Sequence, residues 1–293
     1  MKSFSSYHPA ALLGYFAALI LIAMLTANPV LQLIALFGGI LFSCTLNSAA
    51  ENIKNMLFYL AALVLIALFN PLFSHNGETV LFYLNSNPVT LEAAACGAGM
   101  ALTLIAVLIW CMAFSSIMTS DKFIFLFAKT LPKTGLALSM ALRFIPLYRR
   151  QIKKISRAQK SCGLYSSASR LDRIKSALSV LSCVITWSFE NALKTSQSMA
   201  ARGYALKGKS RFSRFRFTFR DAWLLILTLT LFGTAAAFSA AGALDFSYYP
   251  KISAVNMSPG ALCAYAAYLA LSLLPFFNEV KENLKWKYYE SKI

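Results

Sequence analysis

The chain has 293 residues, of which 58% are hydrophobic and 13% charged, with a mean hydropathy of +0.60 and a formal net charge of +17. That balance excludes a pair of soluble domains and describes an integral membrane protein. The positive charge is interrupted by long uncharged apolar runs, so it reads as the mark of a cytoplasmic membrane face and not of nucleic-acid binding.

Six stretches lack Asp, Glu, Lys, Arg and His for long enough to cross a bilayer, which takes about 20 apolar residues. They are roughly 10–27, 30–46, 56–73, 93–118, 222–241 and 260–277. The first reads as an uncleaved membrane helix, because its leading segment is weakly charged and a second span follows the turn at Asn28-Pro29. The loop from Ser74 to Leu91 has no Lys or Arg, whereas the stretch from Thr119 to Asp221 holds 21 of the 28. By the positive-inside rule that stretch is cytoplasmic, the loop is external and both termini lie inside. Three regions follow: an N-terminal membrane region of about four helices (1–118), a basic cytoplasmic region (119–221), and a C-terminal membrane region with a tail (222–293). The expected fold is an all-α polytopic membrane protein with about six spans and a pair of long cytoplasmic or interfacial helices.

Within the basic region, Thr134 to Tyr148 carries Arg143 near its centre. An Arg at mid-bilayer costs about 2.5 to 3.5 kcal/mol on insertion scales, so this piece is expected on or beneath the membrane. Ser176 to Leu193 is placed there too, since spanning would put basic residues on both faces. Both pieces are expected to be helices. Leu138, Leu142, Ile145, Ile152, Ile155 and Gln159 form one stripe, and Leu171, Ile174, Leu178, Leu181, Ile185 and Trp187 another; helix-on-helix packing is the expected use of both. Pro146 should kink or restart the first helix.

The spans contain no ionisable residue, unlike ion-coupled carriers, which keep such groups in the bilayer. They also offer no catalytic set, and His8 and His75 stand near span ends. Cys44, Cys96, Cys111, Cys162, Cys183 and Cys263 are scattered without a CxxC pair, so no metal site or disulfide framework is expected. Gly203 to Ser210 matches the phosphate-loop pattern GxxxxGKS, but a helix precedes it where a buried strand is needed, so the match is read as coincidental. Arg211 to Arg220 alternates basic and aromatic residues before a span and reads as an interfacial anchor. Small residues recur four apart at Ala93, Gly97 and Ala101 and at Gly233, Ala237 and Ala241, permitting close helix packing within the chain or against another membrane protein.

Two helix ends run into glycine: Ala158-Gln159-Lys160-Ser161-Cys162-Gly163 and Ser198-Met199-Ala200-Ala201-Arg202-Gly203-Tyr204. With Leu142 to Leu147, His8-Pro9 and Met118 to Phe123, they give the chain a resemblance to the transmembrane T component of energy-coupling-factor (ECF) transporters. The resemblance implies a non-catalytic scaffold, with two coupling helices docked by Ala-Arg-Gly ends on two ABC-type ATPases. ATP is used by those partners and no cofactor is bound here; a separate membrane S component captures a vitamin or metal ion. It implies ATPase-coupling roles for Ala201, Arg202 and Gly203, and by position for Ser161, Cys162 and Gly163. The first end departs from Ala-Arg-Gly, and Arg157 or Lys160, a turn earlier, could supply its charge. A stand-alone carrier of a neutral solute and a membrane-anchored recruitment platform remain alternative readings.

Overall fold

A computed structural model describes residues 4–74, 77–84, 87–163, 170–204, 206 and 215–290. The chain divides into two compact units, Met1–Lys122 with Phe215–Ile293, and Phe123–Arg214. The N- and C-terminal membrane regions thus fold together, and most of the basic region forms the second unit.

The first unit holds all six expected spans as helices: α1 (Pro9–Leu25), α2 (Pro29–Leu46), α3 (Ala49–Phe73), α4 (Leu91–Ile117), α8 (Phe219–Ala240) and α9 (Pro259–Glu290). Five of these are long and apolar enough to cross a membrane, and α1 is a shorter apolar helix. Local chemistry sets their starts. His8 caps α1 through Nδ1, which accepts from the Ala10 amide, and Asn28 caps α2 by accepting from the Val30 amide; in each case proline follows at the first helical position. Thr218 and Asp221 form a reciprocal capping box at the start of α8. Where a membrane region ending near 277 was expected, α9 runs on through Pro275 to Glu290. The loop before α4 contains an antiparallel hairpin, β1 (Val80–Leu84) and β2 (Asn87–Thr90), which hydropathy did not reveal. His75 lies outside the described residues.

In this unit α2 packs on α4 and α9, α3 on α4, and α1 on α8. Aromatic rings fill the centre: Phe4 meets Tyr15 and Phe42 edge-on, Phe42 stacks on Trp110 at 6.0 Å, and the Trp110 Nε1 donates to the Ala35 carbonyl. Buried hydroxyls are satisfied across helices, Tyr15 to the Leu271 carbonyl at 2.8 Å and Tyr268 to that of Leu19 at 3.2 Å.

The two stripes of small residues have different fates. Ala93, Gly97 and Ala101 are buried, and a Cβ at Gly97 would stand 2.7 Å from the Asn70 Cβ and 3.1 Å from the Ala67 carbonyl oxygen of α3. Gly233, Ala237 and Ala241 are exposed, with nothing within 4 Å of a Cβ at Gly233. Gly97→Leu should therefore destabilise the α3–α4 contact by about 1 to 3 kcal/mol, seen as a lowered melting temperature in detergent, whereas Gly233→Leu leaves it unchanged. Equal melting temperatures for the two variants would contradict this packing.

Candidate functional site

The second unit is built on two long helices, α6 (Pro132–Ser161) and α7 (Arg170–Ala201), with α5 (Ser120–Thr130) leading into it from the first unit. Neither α6 nor α7 is among the helices apolar enough to span a membrane. The α6 helix neither breaks nor restarts at Pro146. Proline removes one backbone hydrogen bond, and ring packing on both sides of it holds the helix together: Phe144 stacks on Tyr148 at 5.8 Å, and Tyr148 meets Trp187 of α7 edge-on at 5.6 Å.

The apolar stripes do not form the seam between the helices. On α7 the buried positions are Ser176, Val180 and Val184, each 8% exposed, while Leu171, Ile174, Leu178, Leu181 and Ile185 are 47% to 70% exposed. On α6, Met140, Phe144, Tyr148, Gln151, Ile155 and Gln159 are partly buried, whereas Leu138, Ile145 and Ile152 are exposed. The expected packing role thus holds for Leu142, Ile155, Gln159 and Trp187, and fails for Leu138, Ile145 and Ile152 on α6 and for Leu171, Ile174, Leu178, Leu181 and Ile185 on α7. Small side chains let two helix backbones approach closely, so the seam follows Ser and Val at four-residue spacing, and the bulky faces remain uncovered. Gln159 closes the seam, its amide donating to Ser179 Oγ and Cys183 Sγ.

Tyr148 beside Trp187, and Gln159 beside Ser179 and Cys183, show that the helices run antiparallel. Their C-terminal ends consequently project in opposite directions. The α6 end stops just past Gln159, while Ala201 lies roughly 27 Å along α7 from Cys183.

The two ends share a glycine at positive φ whose amide donates to the carbonyl three residues back. At the end of α7, the Gly203 amide donates to the Ala200 carbonyl and the Tyr204 amide to that of Met199, with Gly203 at φ +72°. That is the glycine-terminated helix stop in which a left-handed residue turns the chain, and Arg202 is its C-cap. At the end of α6, the Cys162 amide donates to the Ala158 carbonyl and the Gly163 amide to that of Lys160, with Gly163 at φ +85°. Cys162 therefore occupies the position that Arg202 occupies on α7. Ser161, Cys162, Gly163, Ala201 and Arg202 are exposed, as are Arg157 and Lys160, and Gly203 is half-buried. Ser161 donates to the Arg157 carbonyl, and the Arg202 guanidinium makes no ion pair among the described residues. A helix C-terminus carries partial negative charge, so it tolerates a cation that can still reach outward to an acceptor. Gly203, the first glycine of the phosphate-loop match, thus follows a helix; residues 207–214, with the Gly208-Lys209-Ser210 end of that match and the first four residues of the Arg/Phe run, lie outside the described residues.

Three buried charged residues, Lys122, Asp221 and Glu279, were not singled out for function by the sequence. They gather at residues 4–8 of the first unit. Burial pushes the Lys122 ammonium below the usual lysine range.

Residues 5–214 match the family described as CbiQ, cobalt transport protein. The "Energy-coupling factor transporter transmembrane protein EcfT" of Listeria innocua is 33% identical over 184 residues, covering 58% of this chain and 69% of that protein. Proteins of the same name from Exiguobacterium sibiricum and Brevibacillus brevis are 32% and 31% identical over 99 residues, covering 33% of this chain and 38% and 37% of theirs.

The shared construction of the two ends, with a different residue at each C-cap, predicts unequal contributions. Removing a guanidinium that makes a charge-assisted contact costs about 1.5 to 3 kcal/mol, or roughly ten- to a hundred-fold in affinity. On the docking that the resemblance implies, Arg202→Ala should weaken capture of ATPase subunits by that factor, and Cys162→Ala should change it little, at equal membrane levels of both variants. Equal small effects in a pull-down would move the contact elsewhere, to the basic face of Arg149 to Lys160.

Proposed function

The chain belongs to the CbiQ cobalt transport protein family, and from that premise we propose that it carries the movement of two ABC-type ATPases to a separate substrate-binding membrane subunit. As a family member it is a non-catalytic transmembrane component of an energy-coupling factor transporter in a prokaryotic membrane. In the finer reading, each glycine-terminated end of α6 and α7 seats in a groove of one ATPase. The partner subunit captures a vitamin or metal ion, and ATP is bound only by the ATPases. The second unit faces the cytoplasm, with both chain termini on that side.

One observation carries this reading: α6 and α7 finish in the same exposed helix stop, at opposite ends of an antiparallel pair. A single composite site would need the two ends together, whereas two separate ends suit two copies of one partner. The aliphatic faces supply a further surface. Leu178, Leu181 and Ile185 on α7 are exposed although the seam beside them is closed, and a contiguous exposed aliphatic face of this kind suits a partner. We assign that face to the substrate-binding membrane subunit.

The test is a paired pull-down from membranes. Arg202→Ala should lose ATPases and keep the membrane subunit, while Leu178→Asp with Ile185→Asp should do the reverse. Loss of both partners from either variant would contradict the division. The isolated chain should show no saturable ATP binding, and Lys209→Ala should leave the ATPase activity of the complex within a few-fold; binding abolished by that substitution would restore the phosphate-loop reading. For orientation, single cysteines at Ser86 and Ser210 in a Cys-free background should label from outside and inside respectively, and same-side labelling would reverse the assignment.

A further inference from the structure

The segment from Phe4 to His8 is a short 3-10 turn followed by the cap of α1, and three helices spend a buried charge on it. The Phe4 amide donates to Glu279 Oε2 of α9 at 3.0 Å. The Lys122 Nζ of α5 donates to the Ser5 carbonyl at 2.6 Å, to Ser5 Oγ at 2.8 Å and to the Ile117 carbonyl at 3.0 Å. The His8 amide donates to Asp221 Oδ1 at 2.7 Å, while Oδ2 accepts from the Thr218 amide and hydroxyl. Phe217 lies edge-on against the His8 ring at 5.2 Å. Lys122, Asp221 and Glu279 are only 3% to 5% exposed.

Burying a charge is costly, and a neutral Ser or Asn would suffice for packing alone. Charge-assisted hydrogen bonds are short, strong and directional, so these three hold the segment more stiffly than van der Waals contact would. Their placement in the chain is the informative part. The chain leaves the first unit just after Lys122 and re-enters it at Phe215, a few residues before Thr218 and Asp221. Both crossings are therefore fastened to the same five residues, which are themselves continuous with α1. Within the first unit, a pull transmitted along the chain through either crossing meets this anchor first.

We propose that Phe4–His8 is a brace, and that Lys122 and Asp221 are positioning residues through which movement of the α6–α7 pair reaches α1, α8 and α9. The proposal rests on the coupling function above. Lys122 and Asp221 belong to the first unit and hold residues 4–8, so the role assigned to them is relay and not docking. Glu279 fixes the far end of the brace to α9.

Hydrogen–deuterium exchange on the complex that copurifies with the tagged chain, with and without ATP and vanadate, tests this. In the wild type, nucleotide should change exchange both in α6–α7 and in the segment 4–8 and first turns of α8. In Lys122→Met the α6–α7 response and the ATPase rate should persist, while the response at 4–8 and 218–224 falls several-fold. Asp221→Asn, which keeps the volume and one accepting oxygen, should give the same split and serves if Lys122→Met does not assemble. An undiminished response in α8 in either variant overturns the brace, as does failure of both variants to assemble, since the charges would then serve folding alone. Absence of any α6–α7 response in the wild type would instead overturn the coupling function itself.

Discussion

The carboxylate of Asp221 does two tasks at one place: it completes the capping box with Thr218 that starts α8, and it accepts the backbone amide of His8, which in turn caps α1. Two membrane helices distant in sequence thus begin from one shared polar junction. Helices in lipid gain little from hydrophobic association, because the surrounding tails are as apolar as their own side chains. Directional polar contacts at helix ends and close packing along their lengths must supply the order. The junction supplies the first, and the Phe4, Phe16, Phe42 and Trp110 rings with the Gly97 approach supply the second.

The second unit follows the opposite arrangement. Its seam is narrow, built from Ser176, Val180, Val184 and a few aromatic and amide groups, and it leaves most of the large aliphatic surface uncovered. A helix pair meant to stand alone would bury Leu178 and Ile185 first, at about 1.5 to 3 kcal/mol for each side chain. That these residues remain outside while small ones meet inside is what a part of a larger assembly looks like. The exposed helix stops at Gly163 and Gly203 agree with it, since each presents a rigid, chemically defined end.

The difference between the two stops has a physical meaning. Cys162 and Arg202 share a backbone position, but a thiol cannot make the bidentate, charge-assisted contacts of a guanidinium. Whatever accepts the α6 end meets shape and backbone carbonyls, with Arg157 and Lys160 a turn away, whereas the α7 end adds a cation at the tip. In the proposed function, two similar partners are held by unequal grips on one scaffold.

Much of this protein is written locally. Uncharged apolar runs set the helices α1, α2, α3, α4, α8 and α9, five of them long and apolar enough to cross a membrane; Asn28-Pro29 and His8-Pro9 set where two of them start, and Gly163 and Gly203 set where the two long helices stop, because each depends on residues within a turn or two. Tertiary structure alone decided which face of α6 and α7 is covered. Periodicity finds the apolar stripe but carries no information on how closely two backbones approach, and close approach selected Ser176 and Val180 over Leu178 and Leu181. It also decided that Lys122, Asp221 and Glu279 converge on residues 4–8. In sequence they look like ordinary solvated charges at span ends, separated by many tens of residues. Only the packing of α5, α8 and α9 around the first residues removes them from water, and that gives them backbone partners.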